Sequence, residues 1–170
     1  YIYTSTDSGA SWTQRTAVGF SGLRYITSSS DGTKLAAVVY GGYIYTSTDS
    51  GASWTTNTNS SGSRNWQSIT SSSDGTKLAA VVSGGYIYTS SDSGVNWTVR
   101  QPIDATTRNW TNITSSSDGT KLAAVVYPGY IYTSTDSGVS WTATSTDANR
   151  FWMSITSSSD GTKLAAVGQS

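Results

Sequence analysis

The chain has no cysteine, no histidine and no glutamate among its 170 residues, and only two prolines and one methionine. Without cysteine there are no disulfides and no thiolate-ligated metals. Without histidine, neither a Ser-His-Asp relay nor an imidazole-ligated metal can be built. Net charge is missing too: ten aspartates balance six arginines and four lysines, leaving no overall field to gather nucleic acid or an anionic membrane. A spanning helix needs about 20 apolar residues, and the longest apolar run here is LAAVVY. The first residues carry neither a basic flank nor an apolar signal core, so the chain reads as soluble. Helical periodicity over ten residues or more is also absent.

What the chain does have is repetition. ITSSSDGTKLAAV occurs unchanged at 26–38, 69–81, 113–125 and 155–167. A second block reads YIYTSTDSGASWT at 1–13 and 43–55, YIYTSSDSGVNWT at 86–98 and YIYTSTDSGVSWT at 130–142. Successive copies of this second block start 42, 43 and 44 residues apart, a period that belongs to propellers, solenoids and related arrays. Near-identity of the units points to recent duplication or deliberate repeat engineering.

Each unit divides into four strand-like pieces rich in Ile, Val, Tyr, Trp and Thr, separated by Asp-Gly and Ser-Gly turn signals. Asp31-Gly32, Asp74-Gly75, Asp118-Gly119 and Asp160-Gly161 predict tight hairpins, because both residue types tolerate positive φ. KLAAVV is apolar without alternation, as expected for a strand covered on both faces. Four strands per unit predict an all-β fold of four-stranded antiparallel blades, a β-propeller occupying residues 1–170 as one domain or half-propeller.

Ser5 to Trp12, Ser47 to Trp54, Ser90 to Trp97 and Ser134 to Trp141 all match S-x-D-x-G-x-x-W. This resembles the Asp-box, or BNR, repeat of sialidase-like and other β-propellers. The resemblance implies that the box forms the turn between the third and fourth strands of a blade. Asp7, Asp49, Asp92 and Asp136 would then bond the local backbone, while Trp12, Trp54, Trp97 and Trp141 pack into the blade. It also implies full blades near 23–56, 66–99 and 110–143, with halves at 1–14 and 152–167 able to complete a fourth by pairing with each other. Four blades closing alone must meet at about 90°, whereas eight meet at about 45°; a homodimeric eight-bladed ring is therefore expected, with a monomeric four-bladed ring or a piece of a longer array as alternatives.

Sialidase-like enzymes are expected to use an arginine cluster, a tyrosine activated by glutamate, and an acidic proton donor, and this chain has no glutamate. Asp104 and Asp147 are the only aspartates outside the repeated turns, and nothing in the sequence places them as a hydrolytic pair. One turn aspartate supplies too few oxygens for a tight calcium site, so no metal or cofactor is expected. Variation concentrates instead in the connections and second-to-third-strand loops: Arg64 and Trp66, Arg108 and Trp110, Arg150 and Trp152, with Tyr40 and Tyr127. Indole beside Arg is a candidate platform for a sugar ring or an anion, and equally a wedge between blades. The expected function is non-enzymatic recognition, with carbohydrate as the leading ligand class. A structural or protein-interaction scaffold is the alternative, and a glycoside hydrolase a distant one. The resemblance leans toward an extracellular or periplasmic setting.

Overall fold

A computed structural model of the chain describes residues 1–15, 21–58, 62–101, 106–144 and 150–169. Every regular element among these residues is a β-strand. A half-unit formed by β1 (Ile2–Thr4) and β2 (Thr13–Arg15) comes first. The first full unit contains β3 (Leu23–Ser28), β4 (Leu35–Gly42), β5 (Ile44–Ser47) and β6 (Thr55–Asn57). The second contains β7 (Arg64–Ser71), β8 (Leu78–Gly85), β9 (Ile87–Ser90) and β10 (Thr98–Arg100). β11 (Arg108–Ser115), β12 (Leu122–Val126), β13 (Ile131–Ser134) and β14 (Thr142–Ala143) make the third, and β15 (Phe151–Ser157) with β16 (Leu164–Gln169) form a closing half-unit.

Consecutive strands of a unit pair antiparallel in a repeated register: Leu35 lies opposite Ser47, Leu78 opposite Ser90, and Leu122 opposite Ser134. Short bridges join neighbouring units at one edge, Tyr40 to Asn65 and Ser83 to Asn109. These link the three full units into one 12-stranded sheet, while β1–β2 and β15–β16 stand as separate two-stranded sheets. Among the described residues the two half-units do not pair with each other, so the ring closure expected from the sequence is not made within this chain.

The core lies between units. In β8, Leu78, Ala80 and Val82 pack toward Val38 and Ile44 of the first unit, whereas Ala79 and Val81 pack toward Trp110 and Leu122 of the third. Alternate side chains of one strand thus fill two different cores, which accounts for an apolar run with no polar face.

All four Asp-Gly hairpins form, though with longer connections than expected. Ser72 N–H donates to the Lys77 carbonyl at 2.8 Å and Gly75 N–H to the Ser72 carbonyl at 3.0 Å. Of each Asp-Gly pair only the glycine takes positive φ, Gly75 at 69°. The aspartate instead serves as an acceptor: Asp74 Oδ1 receives the Ser72 hydroxyl at 2.6 Å and the Thr76 N–H at 3.0 Å. That local bonding replaces the left-handed conformation the dipeptide suggested. Among the described residues no helix is long and apolar enough to cross a membrane.

Candidate functional site

Antiparallel pairing sorts every unit into two edges. At one edge lie the Asp-Gly hairpins and the S-x-D-x-G-x-x-W turns, since Ser71, Leu78 and Ser90 are register partners in sequence. At the other lie the starts of β3, β7, β11 and β15 and the loops after β4, β8 and β12.

The turn edge is saturated with its own hydrogen bonds. Ser90 Oγ donates to Asp92 Oδ1 at 2.8 Å and accepts from Gly94 N–H at 2.9 Å. Asp92 also receives the Asn96 N–H at 2.9 Å and the Asn96 side-chain amide at 2.7 Å. Trp97 Nε1 donates to the Gly94 carbonyl at 2.9 Å. The same set recurs around Asp7, Asp49 and Asp136. Ser11, Ser53 and Ser140 donate through both hydroxyl and N–H, holding those three carboxyls at about 2; the Asn96 N–H leads in lowering Asp92. These aspartates are ionised and committed to their turns, and they sit in separate units. One feature was not legible in the sequence: Ser8, Ser50, Ser93 and Ser137 all take positive φ, at 56 to 59°, immediately before glycines that do the same. Asp92→Ala should cost about 1 kcal/mol by leaving turn donors to water; a urea midpoint unchanged from the parent chain would show that the turn does not depend on its carboxylate.

Neighbouring hairpins are tied together along this edge. Lys34 Nζ donates to the Asp74 carbonyl at 2.9 Å, Lys77 to that of Asp118 at 2.9 Å, and Lys121 to that of Asp160 at 2.8 Å. Beside them Ser30, Ser73 and Ser117 each donate N–H to the serine carbonyl of the next hairpin at 2.7 Å.

On the loop edge the expected residues separate into two groups. Trp66 and Trp110 are completely buried and Trp152 nearly so; their rings present no face to a ligand. Trp110 lies edge-on to Tyr132 at 5.1 Å and donates Nε1 to the Gly85 carbonyl of the preceding unit at 3.2 Å, the geometry of a wedge between units. Trp66 makes the corresponding contact with Tyr88 at 5.0 Å. Tyr40, Arg64, Tyr127 and Arg150 are exposed and Arg108 half-buried. Three arginines lie over tyrosine rings: Arg24 on Tyr40 at 4.8 Å, Arg64 on Tyr88 at 4.9 Å, and Arg108 on Tyr132 at 5.1 Å. Arg108 Nε also donates to the Tyr132 hydroxyl at 2.8 Å. Tyr127 stands 5.0 Å from Phe151 with both rings exposed. Sequence reasoning missed these partners, because an Arg at a strand start and a Tyr 24 residues later meet only through the fold.

A cavity of about 180 Å³ opens between the second and third units on the turn edge, lined in part by Lys77, Asp92, Asn96, Arg100 and Ser115. In the preceding gap the Asn57 amide reaches across to the Gly94 carbonyl, whereas Arg100 turns back to Thr89 Oγ1 at 2.8 Å and leaves its gap open. Among the described residues no three potential ligands come together around a metal position. Asp104 and Asp147 lie outside the described residues.

No protein-family description matches the chain, and no curated protein matches its sequence. Solved structures do match. YCF48 bound to a D1 peptide superimposes with a TM-score of 0.68 at 18% identity, over 87% of this chain and 48% of that one. An ancestral GH74 enzyme gives 0.74 at 19% identity, over 98% of this chain and 24% of its own. The Cps50 (Swd1) β-propeller domain of Myceliophteria thermophila gives 0.68 at 13% identity, over 91% and 51%. The chain therefore spans about half or less of the structures it matches. Repeating all-β units whose strands send alternate side chains into two inter-unit cores, together with these superpositions, give the chain the β-propeller fold.

Proposed function

We propose that this chain is a non-enzymatic propeller module of Asp-box repeats, each full unit a four-stranded blade, and that its loop edge binds a peptide segment bearing carboxylates. The observation that carries this reading is the row of arginines laid over tyrosine rings in successive units, Arg24, Arg64 and Arg108. Contact with the ring holds each guanidinium near one position in advance, so less rotamer freedom is lost when a carboxylate docks. Burial of Tyr88 and Tyr132 anchors two of these pairs to the cores. The peptide-bound YCF48 structure shares the fold, which favours a peptide over other anions. On the turn edge the aspartates are engaged in their own turns, and Lys34, Lys77 and Lys121 donate to the carbonyls of neighbouring hairpins.

The exposed Tyr127–Phe151 pair supports a second reading, stacking of a sugar ring. Fluorescence anisotropy with an acidic peptide library at low salt tests the first, and a glycan array the second. Acidic peptides should bind, and Arg64→Ala should weaken the best of them by on the order of tenfold or more. Glycan hits abolished by Tyr127→Ala, with no peptide binding, would overturn the peptide reading in favour of the sugar.

A further inference from the structure

We propose that the two open ends of this arc are mutually complementary, and that a second copy of the chain completes both blades head to tail, giving an eight-bladed ring of two chains. This rests on the blade reading above and not on the ligand.

The repeat itself states what is missing at each end. In the full units the LAAV strand pairs with the IYTS strand as Ala36 with Thr46, Ala79 with Thr89 and Ala123 with Thr133. Among the described residues, β16 carries the same LAAV with no IYTS strand beside it, and β1 with the residue after it is IYTS with no LAAV strand beside it. Applying the register pairs Leu164 with Ser5, Ala165 with Thr4, Ala166 with Tyr3 and Val167 with Ile2.

Side chains give the same answer independently. Val38, Val81 and Val125 are 0% exposed, while Val167, in an identical sequence, is 62% exposed. Trp97 and Trp141 are 6% and 5% exposed, while Trp12 is 62% exposed. Gly75, Gly119 and Gly161 are each covered by the lysine of the preceding hairpin, and Gly32 faces open space. Gly51, Gly94 and Gly138 each meet a threonine methyl of the preceding unit and a leucine of their own, whereas Gly9 meets only Trp12. In the composite blade Lys163 would cover Gly32 and donate to the Asp31 carbonyl, and Trp12 would close over Leu164. Strand edge, apolar face and hairpin girdle all call for the same partner in one register.

A second copy of the 170-residue chain offers both missing strands at once, its β1 to this chain's β16 and its β16 to this chain's β1. Formal net charge zero sets no repulsion between copies.

Light scattering on the 170-residue chain at micromolar concentration should give twice the 17.9 kDa chain mass. Val167→Asp should halve that mass while leaving the far-ultraviolet spectrum of the parent, since its side chain faces solvent in the single arc. Gly32→Asn should do the same, because asparagine tolerates the positive φ and fills the space Lys163 needs. Cross-strand neighbours lie about 4.5 to 5.5 Å apart, within disulfide reach. In a chain without cysteine, mixing Thr4→Cys chains with Ala165→Cys chains should therefore yield a covalent two-chain species on oxidation. A single-chain mass for the parent, an unchanged mass for Val167→Asp, assemblies larger than two chains, or a Thr4→Cys, Ala165→Cys chain that links only to itself would each overturn the proposal. Peptide binding is read on one arc, so loss of either result leaves the other standing.

Discussion

Replacing Trp110 by alanine is expected to remove about 3–5 kcal/mol of stability, the largest effect of any single substitution on the loop edge. The indole is fully buried, lies edge-on to Tyr132 and donates to the Gly85 carbonyl of the preceding unit. Truncation leaves a cavity in the core shared by the second and third units and removes the indole's hydrogen bond to that carbonyl. Urea unfolding followed by tyrosine fluorescence measures the loss. Tyr127→Ala, at a rim position 38% exposed, should shift the midpoint far less. A Trp110→Ala protein with the parent midpoint would mean that the unit interface closes without its wedge.

Acid should unfold the chain over a narrow range, and here the sign follows from the aspartates. Eight of the ten have folded-state values lowered from 3.8, five of them to about 2, each chiefly by a nearby hydroxyl or N–H donor. A carboxyl with a lowered folded value contributes stability that is present above its unfolded value and lost as pH falls through the folded one. The unfolded chain takes up protons first, so stability drops between about pH 4 and pH 2. With no histidine in the chain, nothing of that type titrates between about pH 5 and 8. Thermal melts should be level from about pH 7 to pH 5 and fall steeply below about pH 4. A transition temperature unchanged at about pH 2, or one already falling at about pH 6, would contradict this account. Asp118→Asn should make the fall shallower, because its group is among the most strongly lowered.

Much of the architecture was legible in the residues. A 42 to 44 residue period, β-rich segments and glycine-bearing turns each act locally, so they announced strands and hairpins without knowledge of neighbours. The S-x-D-x-G-x-x-W turns were also legible, because serine, aspartate and indole bond within eight residues of one another. Less of the candidate site could be read. The sequence marked Trp66 and Trp110 as a ligand platform or a wedge, and they lie buried between units; the arginines it grouped with them are stacked on tyrosines of the same unit. Both outcomes depend on which elements pack together, and spacing carries no information about that.

Identical sequence in different surroundings marks the boundary most clearly. ITSSSDGTKLAAV determined by itself that every copy would be a strand, a hairpin and a second strand, since its turn bonds and β-preferring side chains are internal. Whether its last valine is buried was decided elsewhere: Val81 lies in the core shared with the third unit and Val167 looks into solvent. Burial of apolar surface is a property of two partners, so that valine is interior where another unit packs on it and exposed where, among the described residues, none does.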